Sequence, residues 1–257
     1  YFLRVESSRG NTTTVVNIGK DGVLLIDPNF NETADLIKQE ISNLGGKEIR
    51  YVTSSHDHRD HIEQYGKFAS HAISIVPTNQ RNSVMEWGAT PQITFDGKLA
   101  LHINGHAVEF QTLPTKVGHT DGDQIIYFTK ENALYVGDYY FATGFPIIDK
   151  STGSVAGYIE NLDYIASQFP PETIVIPGHT TFPPETMQLF KIRDVAQFAS
   201  DLRASVIHIK EQIAQGLTLA QTQASGLPAK FSRYDEGKKF RGSKRWIERV
   251  YMEFGSY

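Results

Sequence analysis

The chain has 257 residues, of which 40% are hydrophobic and 21% charged, and its net charge is −4. This composition is typical of a globular protein, its length fits one or two domains, and its charge argues against nucleic-acid binding driven by counterion release. The chain has nine histidines and no cysteine, which excludes disulfides, iron–sulfur clusters and cysteine nucleophiles, so any metal site must use histidine and carboxylate ligands.

The first part of the chain is predicted to form a hairpin followed by β/α units. Strands are predicted at residues 13–18, 23–26, 49–53 and 73–76. The first two strands flank a Gly-Lys-Asp-Gly turn and therefore predict a hairpin. Residues 31–44 predict an amphipathic helix, because apolar side chains recur at helical spacing before a Gly-Gly stop. The expected buried face of this helix comprises Leu36, Ile37, Ile41 and Leu44.

The second part is predicted to return to hairpins and then to become helical. Strands are predicted at residues 99–103 and 107–113 around an Asn-Gly turn, at 124–129 and 133–136, and at 173–176. Helices are predicted at residues 155–169, over most of the chain from 184 to about 215, and around 246–254. This order indicates an α/β (α+β) fold of two mixed sheets with helices outside. We expect one domain over residues 1–257, with a core of about 1–185 and a C-terminal helical extension of about 186–257.

Four polar segments, each expected to follow a strand, carry the candidate chemistry, since strand-end loops commonly present functional groups. The first, residues 54–61, reads Ser-Ser-His-Asp-His-Arg-Asp-His. His56 and His58 are two residues apart and can converge on one ion, while Asp60 and His61 can face a second. Imidazole and carboxylate are suitable ligands for zinc and its neighbours. The pattern is too rare in random composition to be read as an ordinary solvated loop.

The other three segments, residues 118–123, 136–139 and 177–180, supply the remaining ligands. His119 can complete a three-histidine site with His56 and His58, which leaves a position open for a catalytic water. His179 can join Asp60 and His61 on the second ion, and Asp138 can bridge both ions. We therefore expect two Zn²⁺ ions, with iron or manganese possible in place of one or both, that share a hydroxide.

Further residues near these segments have two interpretations each. Asp121 and Asp123 can bond to an imidazole N–H from outside the ligand set or cap the turn after His119. An apolar stretch after Asp138 can line a substrate pocket, form a buried loop or make a dimer contact; its candidates are Tyr139, Tyr140 and Phe145. A basic C-terminal stretch can attract an anionic substrate or form a solvated face; it contains Lys238, Lys239, Arg241, Lys244 and Arg245.

This constellation resembles the metallo-β-lactamase fold superfamily of metallohydrolases. The resemblance covers about residues 10–185 and rests on elements in family order, namely Asp27 after an early strand, the 56–61 loop, His119, Asp138 and His179. It implies a four-layer αβ/βα sandwich with a dinuclear metal site at one edge. It also implies that Asp27 is a structural residue near that site.

Differences from the family patterns reduce the number of superfamily branches that the chain resembles. The lactamase subclass with a cysteine ligand is excluded, and the subclass with only Asp and His ligands usually has serine where Asp138 stands. A bridging aspartate is typical of glyoxalase II-like thioesterases, lactonases and general hydrolases of the superfamily. Phe141 stands where the lactonases commonly have tyrosine. The nucleic-acid-processing and flavodiiron branches carry additional domains that this chain does not match.

The expected function is zinc-dependent hydrolysis of an ester, lactone, thioester or amide by a metal-bridging hydroxide that Asp60 orients. Alternatives are β-lactam hydrolysis as the main or a side reaction, a non-catalytic metal-binding member of the fold, and iron-dependent redox chemistry. The expected partner is a small-molecule substrate, with no nucleic acid and no membrane-spanning segment, and the oligomeric state stays open. Similarity to exported relatives favours secretion or a periplasmic location.

Overall fold

Two six-stranded sheets form the framework of the protein. The computed structural model describes residues 1–179, 189–235 and 241–255. The first sheet has the strand order β1-β2-β3-β4-β5-β6. Its strands are β1 (Phe2–Ser7), β2 (Gly10–Gly19), β3 (Gly22–Ile26), β4 (Ile49–Thr53), β5 (Ile73–Pro77) and β6 (Ile93–Phe95). β1, β2 and β3 pair antiparallel, whereas β3 to β6 pair parallel.

The second sheet has the order β12-β11-β10-β9-β8-β7. Its strands are β7 (Lys98–Ile103), β8 (His106–Thr112), β9 (Gln124–Phe128), β10 (Ala133–Gly137), β11 (Ile174–Pro177) and β12 (Phe190–Lys191). β10 and β11 are parallel, and the other neighbours are antiparallel. Each sheet therefore contains parallel neighbours whose carboxyl ends meet at one edge.

Eight α-helices occur in the described part of the chain. They are α1 (Ala34–Asn43), α2 (Arg59–Ile62), α3 (Tyr65–Ala69), α4 (Arg81–Glu86), α5 (Val155–Gln168), α6 (Ile192–Ala214), α7 (Leu219–Ser225) and α8 (Ser243–Phe254). α1, α3 and α4 cover the outer face of the first sheet, and α5, α6 and α8 cover that of the second. Among the described residues, no helix combines the length and apolarity needed to cross a lipid bilayer.

Side-chain alternation along the strands separates three apolar layers. Val23 and Leu25 of β3 pack toward the helices, whereas Leu24 packs between the two sheets. In β10, Leu134 packs toward the C-terminal helices, and Tyr135 packs between the sheets. Because successive side chains of a strand point to opposite faces, one buried strand serves two layers at once. The result is the expected four-layer αβ/βα sandwich.

Most predicted elements are present, with differences at their edges. The helix at residues 31–44 is observed as a 3₁₀ turn, Asn31–Thr33, followed by α1. Ile37 and Ile41 are buried as expected, but Leu36 is 48% exposed, so its assignment to the buried face was wrong. β1, β6 and β12 were not predicted, because short edge strands carry little periodic signal. Residues 184–188 of the predicted helical region lie outside the described residues.

The C-terminal helices share one apolar core with the second sheet. Trp246 of α8 is buried and stacks on Phe145, with ring centroids 5.5 Å apart and an interplanar angle of 11°. Its indole Nε1 donates a hydrogen bond of 2.8 Å to Ser205 Oγ of α6. The same cluster includes Leu134 and Val136 of β10. α6 and α8 therefore share one apolar core with the strand that leads to Asp138.

We expect Trp246→Ala to lower the free energy of unfolding by about 3–5 kcal/mol, because it removes a large buried ring and leaves a cavity. The matched control is Met252→Ala on the same helix, where the side chain is 38% exposed and we expect a change within about 0.5 kcal/mol. Urea unfolding followed by circular dichroism measures both. A loss below about 1 kcal/mol, or a separate early transition for the C-terminal helices, would contradict a shared core.

Candidate metal centre

Parallel strand pairs bring the histidine loop together with Asp27, Asp138 and His179 at one edge of the sandwich. β3 and β4 are parallel, so Asp27 at the end of β3 lies beside the 54–61 loop that follows β4. β10 and β11 are parallel, so Asp138 and His179 also lie next to each other. The sheets meet at this edge, where Thr13 N donates a 2.7 Å hydrogen bond to Gly178 O.

His119 reaches the same edge from the loop between β8 and β9. Its segment was expected to follow a strand directly, but it instead precedes β9. Asp123 holds this loop, because its carboxylate accepts from His119 N at 2.8 Å and from Thr120 Oγ1 at 2.6 Å. Asp123 therefore caps the turn and contacts the backbone of His119. Asp121 is half-buried in the same loop, and its carbonyl oxygen accepts a 2.8 Å hydrogen bond from Asn79 Nδ2.

The first cluster of candidate ligands contains three imidazoles and one carboxylate. One ligand atom of each of His56, His58, His119 and Asp138 lies within 4.8 Å of the others. His119 Nε2 is 3.0 Å from His58 Nδ1 and 3.5 Å from Asp138 Oδ2. His56 Nε2 is 4.0 Å from Asp138 Oδ2. These are spacings at which one cation could contact all four residues.

The second cluster lies on the other side of the Asp138 carboxylate. Asp60, His61 and His179 also place ligand atoms within 4.8 Å of one another. His179 Nε2 is 3.1 Å from Asp60 Oδ2 and 3.3 Å from Asp138 Oδ2. His61 Nε2 is 3.7 Å from Asp60 Oδ2 and 3.5 Å from Asp138 Oδ1. Asp138 thus has carboxylate oxygens within 4.0 Å of imidazole nitrogens from both clusters, and its role as a bridge stays a prediction from the sequence.

The protonation of the clusters follows from burial and neighbouring charge. Burial and nearby imidazoles lower the pKa of His56, and burial with His58 beside it lowers that of His119 to about 3. Burial opposes charge on His179, but the Asp138 and Asp60 carboxylates outweigh it and raise its pKa to about 10. His56 and His119 of the first cluster are thus neutral imidazoles, whereas in the second cluster the proton on His179 would be displaced by a cation.

Several polar atoms at this edge are buried without a hydrogen-bond partner among the described residues. They are His56 Nε2, His61 Nε2 and Asp138 Oδ1. Buried polar atoms are nearly always paired, and an unpaired group calls for a further partner such as an ion. Because all three atoms point into the two clusters, the residues present fit a pair of divalent cations with nitrogen and oxygen ligands.

The Asp27 carboxylate contacts residues beside the two clusters and orients one of the candidate ligands. Its carboxylate accepts from Ser55 N and Ser55 Oγ, both at 2.6 Å, and from Tyr135 OH at 2.5 Å. Its Oδ2 also lies 2.6 Å from His61 Nδ1, which orients that ring with Nε2 toward Asp138. Asp27 has a φ of 54°, a left-handed conformation that aspartate tolerates better than most residues. Tyr135 was not singled out from the sequence, because it reads as an ordinary strand residue.

His56 and His179 are oriented in similar ways. His56 Nδ1 lies 3.0 Å from Ser55 Oγ, and His179 Nδ1 lies 2.5 Å from Asn11 O. In both rings Nε2 is then directed at Asp138. Contacts at the second nitrogen commonly fix the tautomer and direction of a ligand imidazole. Ser55 and Asn11 are therefore supporting residues that composition and spacing did not reveal.

The three aromatic candidates for a substrate pocket are packed in the core. Tyr139 stacks on Tyr158 at 4.8 Å and donates a 2.7 Å hydrogen bond to Asp123 Oδ2. Tyr140 contacts the rings of two C-terminal residues, and Phe145 stacks on Trp246. Packing accounts for all three rings, and their role as pocket lining stays a prediction from the sequence.

An open cleft of about 630 Å³ borders the first cluster at His58. One wall is the loop 146–151 after β10, and the other is formed by α8 with Gln223 of α7. His58 Nε2 faces this wall, at 4.0 Å from Asp149 Oδ2. The volume lies in the range of small-molecule sites.

We expect Asp27→Asn to weaken zinc binding at the cluster of His61 by about 10–100-fold, because it weakens the contact that orients this imidazole. Competition with a chromogenic chelator measures the affinity of each site. The matched control is Asp163→Asn, an exposed carboxylate paired with Arg203 on the far helices, which should leave both affinities unchanged. Unaltered affinity in Asp27→Asn would show that Asp27 does not support the site.

The short helix that carries Asp60 and His61 is anchored by Glu63. The Glu63 side chain is buried and accepts from Asn31 N at 3.0 Å, from Arg9 Nη1 at 3.0 Å and from Arg59 Nε at 2.7 Å. The hydrogen bonds from Arg9, together with the remaining donors, lower the pKa of Glu63 to about 2. The carboxylate is therefore more acidic in the folded chain than in the unfolded chain.

We expect Glu63→Gln to destabilise the metal-free protein by about 1.5–3 kcal/mol at pH 7. The folded pKa is below the ordinary value of 4.5, so this contribution is complete above pH 4.5 and is lost as the pH falls toward 2. Urea unfolding from pH 7 to 3 should show the difference from wild type shrink below pH 4.5. Glu32→Gln, which removes only an exposed partner of Arg9, should destabilise the protein less than Glu63→Gln does. A pH-independent difference would contradict this linkage.

Comparison with known proteins identifies the family. The family model of the metallo-beta-lactamase superfamily matches residues 8–179. No curated protein matches the sequence significantly. A metallo-beta-lactamase from Pontibacter korlensis is similar in structure, with a TM-score of 0.61, 15% identity, and coverage of 79% of this chain and 99% of that one. ETHE1 from Myxococcus xanthus has a TM-score of 0.59 and 20% identity, covering 76% and 80%.

A third structure matches over nearly the whole chain. A double mutant of the sec-alkyl sulfatase PisA1 has a TM-score of 0.71 and 17% identity, and the match covers 96% of this chain and 48% of that protein. At these identities the similarities establish the fold. Because the family model spans more than half of the chain and the sandwich is the one these structures share, the chain belongs to the metallo-beta-lactamase superfamily.

Proposed function

We propose that this protein is a dinuclear zinc-dependent hydrolase. The observation that carries the proposal is the convergence of five imidazoles and the Asp60 carboxylate around Asp138, with buried ligand atoms that have no other described partner. The seven proposed ligands are His56, His58 and His119 at the first site, Asp60, His61 and His179 at the second, and Asp138 between them. A remnant that had lost its chemistry would be expected to have lost part of this set.

Different residues of the chain serve to bind the metals and to orient the attacking water. Bound zinc would supply Lewis acidity and would lower the pKa of water toward about 7. Asp138 is 6% exposed and holds the two sites together, whereas Asp60 is 28% exposed and faces the open side. On that side, Asp60 would accept a hydrogen bond from the attacking water and orient it. His58, at the mouth of the cleft, adjoins the space where a carbonyl group would bind.

The proposed substrate is an ester, lactone, thioester or amide small enough for the cleft beside His58. The aspartate at position 138, which is typical of the thioesterase, lactonase and general hydrolase branches, supports this class over β-lactams as the main substrate. Turnover of β-lactams as a side reaction is an arm of the test, because metallo-beta-lactamases from Pontibacter korlensis and elsewhere share the fold.

Hydrolysis of an alkyl sulfate ester is a second candidate. The sec-alkyl sulfatase match extends over 96% of this chain, against 79% for the Pontibacter korlensis enzyme. The chain spans about half the length of that sulfatase, and we propose the sulfatase's activity as the second candidate for this chain. The net reaction would add water and release an alcohol and a sulfate ion.

We expect purified protein to bind about two zinc ions per chain, as measured by elemental analysis, and to show one chelator-sensitive activity in a substrate panel. The panel contains an aryl ester, a lactone, a thioester, a chromogenic β-lactam and a secondary alkyl sulfate. Two zinc ions with no turnover would favour the non-catalytic alternative. Failure to bind zinc would contradict the ligand assignment.

We expect His58→Ala to lose zinc from the first site and Asp60→Asn to lower kcat by about 10²–10⁴-fold. The control is His102→Ala, which removes an exposed histidine of β7 and should change neither zinc content nor kcat. Circular dichroism checks that each variant is folded. Wild-type kcat in folded Asp60→Asn would refute the role of Asp60.

A further inference from the structure

Arg241 extends from the start of the C-terminal segment toward the metal centre. Its guanidinium carbon lies 5.1 Å from the centroid of the Phe141 ring. The Phe141 ring in turn lies nearly parallel to the imidazole of His179, at 6.1 Å and 17°. The backbone is held in place, since Phe145 N donates a 3.0 Å hydrogen bond to Arg241 O. A cation is thus positioned over the aromatic ring that adjoins a candidate ligand.

Among the described residues, no hydrogen-bond acceptor or ion-pair partner contacts the Arg241 guanidinium. Two other arginines of the same C-terminal part are paired, Arg233 with Asp201 and Arg249 with Glu253. Burial lowers the pKa of Arg241, and the carboxylates of Asp138 and Asp60 act against this at longer range. The Arg241 side chain is half-buried, and no described residue occupies the hydrogen-bonding face of its guanidinium, so an anion could pair with it without displacing another described partner.

The charge balance of the loaded site favours such an anion. Two divalent cations would outweigh the charges of Asp138 and Asp60, which are the carboxylates that act on Arg241. With those charges neutralised, the guanidinium would have no described counter-charge. An anionic group on the substrate would restore the balance. Arginine also matches the planar geometry of carboxylate and the oxyanion of sulfate better than lysine does.

The cleft that borders His58 at the first cluster carries the same sign of charge as Arg241. Its lining contains four basic side chains, Lys150, Lys244, Arg245 and Arg249, and two carboxylates, Asp149 and Glu248. A cleft lined mainly by one sign of charge attracts ligands of the opposite sign. The entrance and the unpaired guanidinium therefore favour the same class of substrate.

We propose that Arg241 is a specificity-determining residue that binds an oxyanion, carboxylate or sulfate, in the leaving-group portion of the substrate. We assign Arg241 to the leaving-group portion because Phe141 and His179 place the guanidinium next to the second cluster. This inference rests on the proposed hydrolase function and narrows its substrate to anionic esters.

A matched pair of esters tests the proposal. We compare 4-acetoxybenzoate with its neutral methyl ester, because the two differ in one charge on the leaving group. We expect Arg241→Gln to lower the ratio of their kcat/KM values by about 10–100-fold, with the value for the neutral ester unchanged. Arg241→Lys should restore part of the preference. Octan-2-yl sulfate is the sulfate arm and should lose a similar factor if sulfate is the oxyanion.

The control is Arg203→Gln, which removes an exposed arginine of α6 paired with Asp163. It should leave the ratio at the wild-type value. Zinc content and unfolding midpoint are measured for each variant. If Arg241→Gln alters the zinc content or the unfolding midpoint, the ratio of kcat/KM values is compared between Arg241→Lys and wild type instead. An unchanged ratio in a folded, zinc-loaded Arg241 variant would overturn the proposal.

A binding measurement separates this proposal from the proposed function. Calorimetric titration of the zinc-loaded protein with 4-hydroxybenzoate should show at least about tenfold weaker binding in Arg241→Gln than in wild type, and binding should weaken with salt. Equal affinity in the two proteins, or no binding by wild type, would overturn the role of Arg241. Failure of wild type to turn over any panel substrate would instead refute the hydrolase function, while the titration still tests the anion site.

Discussion

The buried carboxylate of Asp27 joins the two sheets at the edge where the candidate ligands meet. It accepts hydrogen bonds from Ser55 of the histidine loop and from Tyr135 of the opposite sheet, and it contacts His61. One charged group thus sets the distance between the sheets and the direction of a ligand ring. A buried charge is stable only when it is well paired, so the position of every partner is constrained by it.

The candidate centre differs in charge between its two halves. His56 and His119 are neutral because they are buried beside other imidazoles, whereas His179 holds a proton because it faces two carboxylates. A divalent cation would replace that proton, so metal binding would release protons in the second half. Without a cation, protons on the imidazoles of this half balance the charges of the Asp138 and Asp60 carboxylates, whereas two divalent cations would leave an excess of positive charge.

The C-terminal helices link the two-sheet sandwich to the proposed specificity. α6 and α8 pack on the outer face of the second sheet through Trp246 and its neighbours. The same segment supplies one wall of the cleft at His58 and brings Arg241 over Phe141. Packing energy and substrate recognition thus depend on the same helices, which lie beyond the residues that the family model matches.

The sequence by itself determined the family, the sandwich and all seven candidate ligands, because hairpin turns, buried strands and the His-x-His-x-Asp-His loop are local signals. Only the tertiary structure decided that Asp123 holds the backbone of His119, that Tyr139 packs against Tyr158, and that Arg241 reaches the centre. These are contacts between residues distant in the chain. Their geometry depends on how the two sheets and the C-terminal helices pack, and no local pattern encodes that.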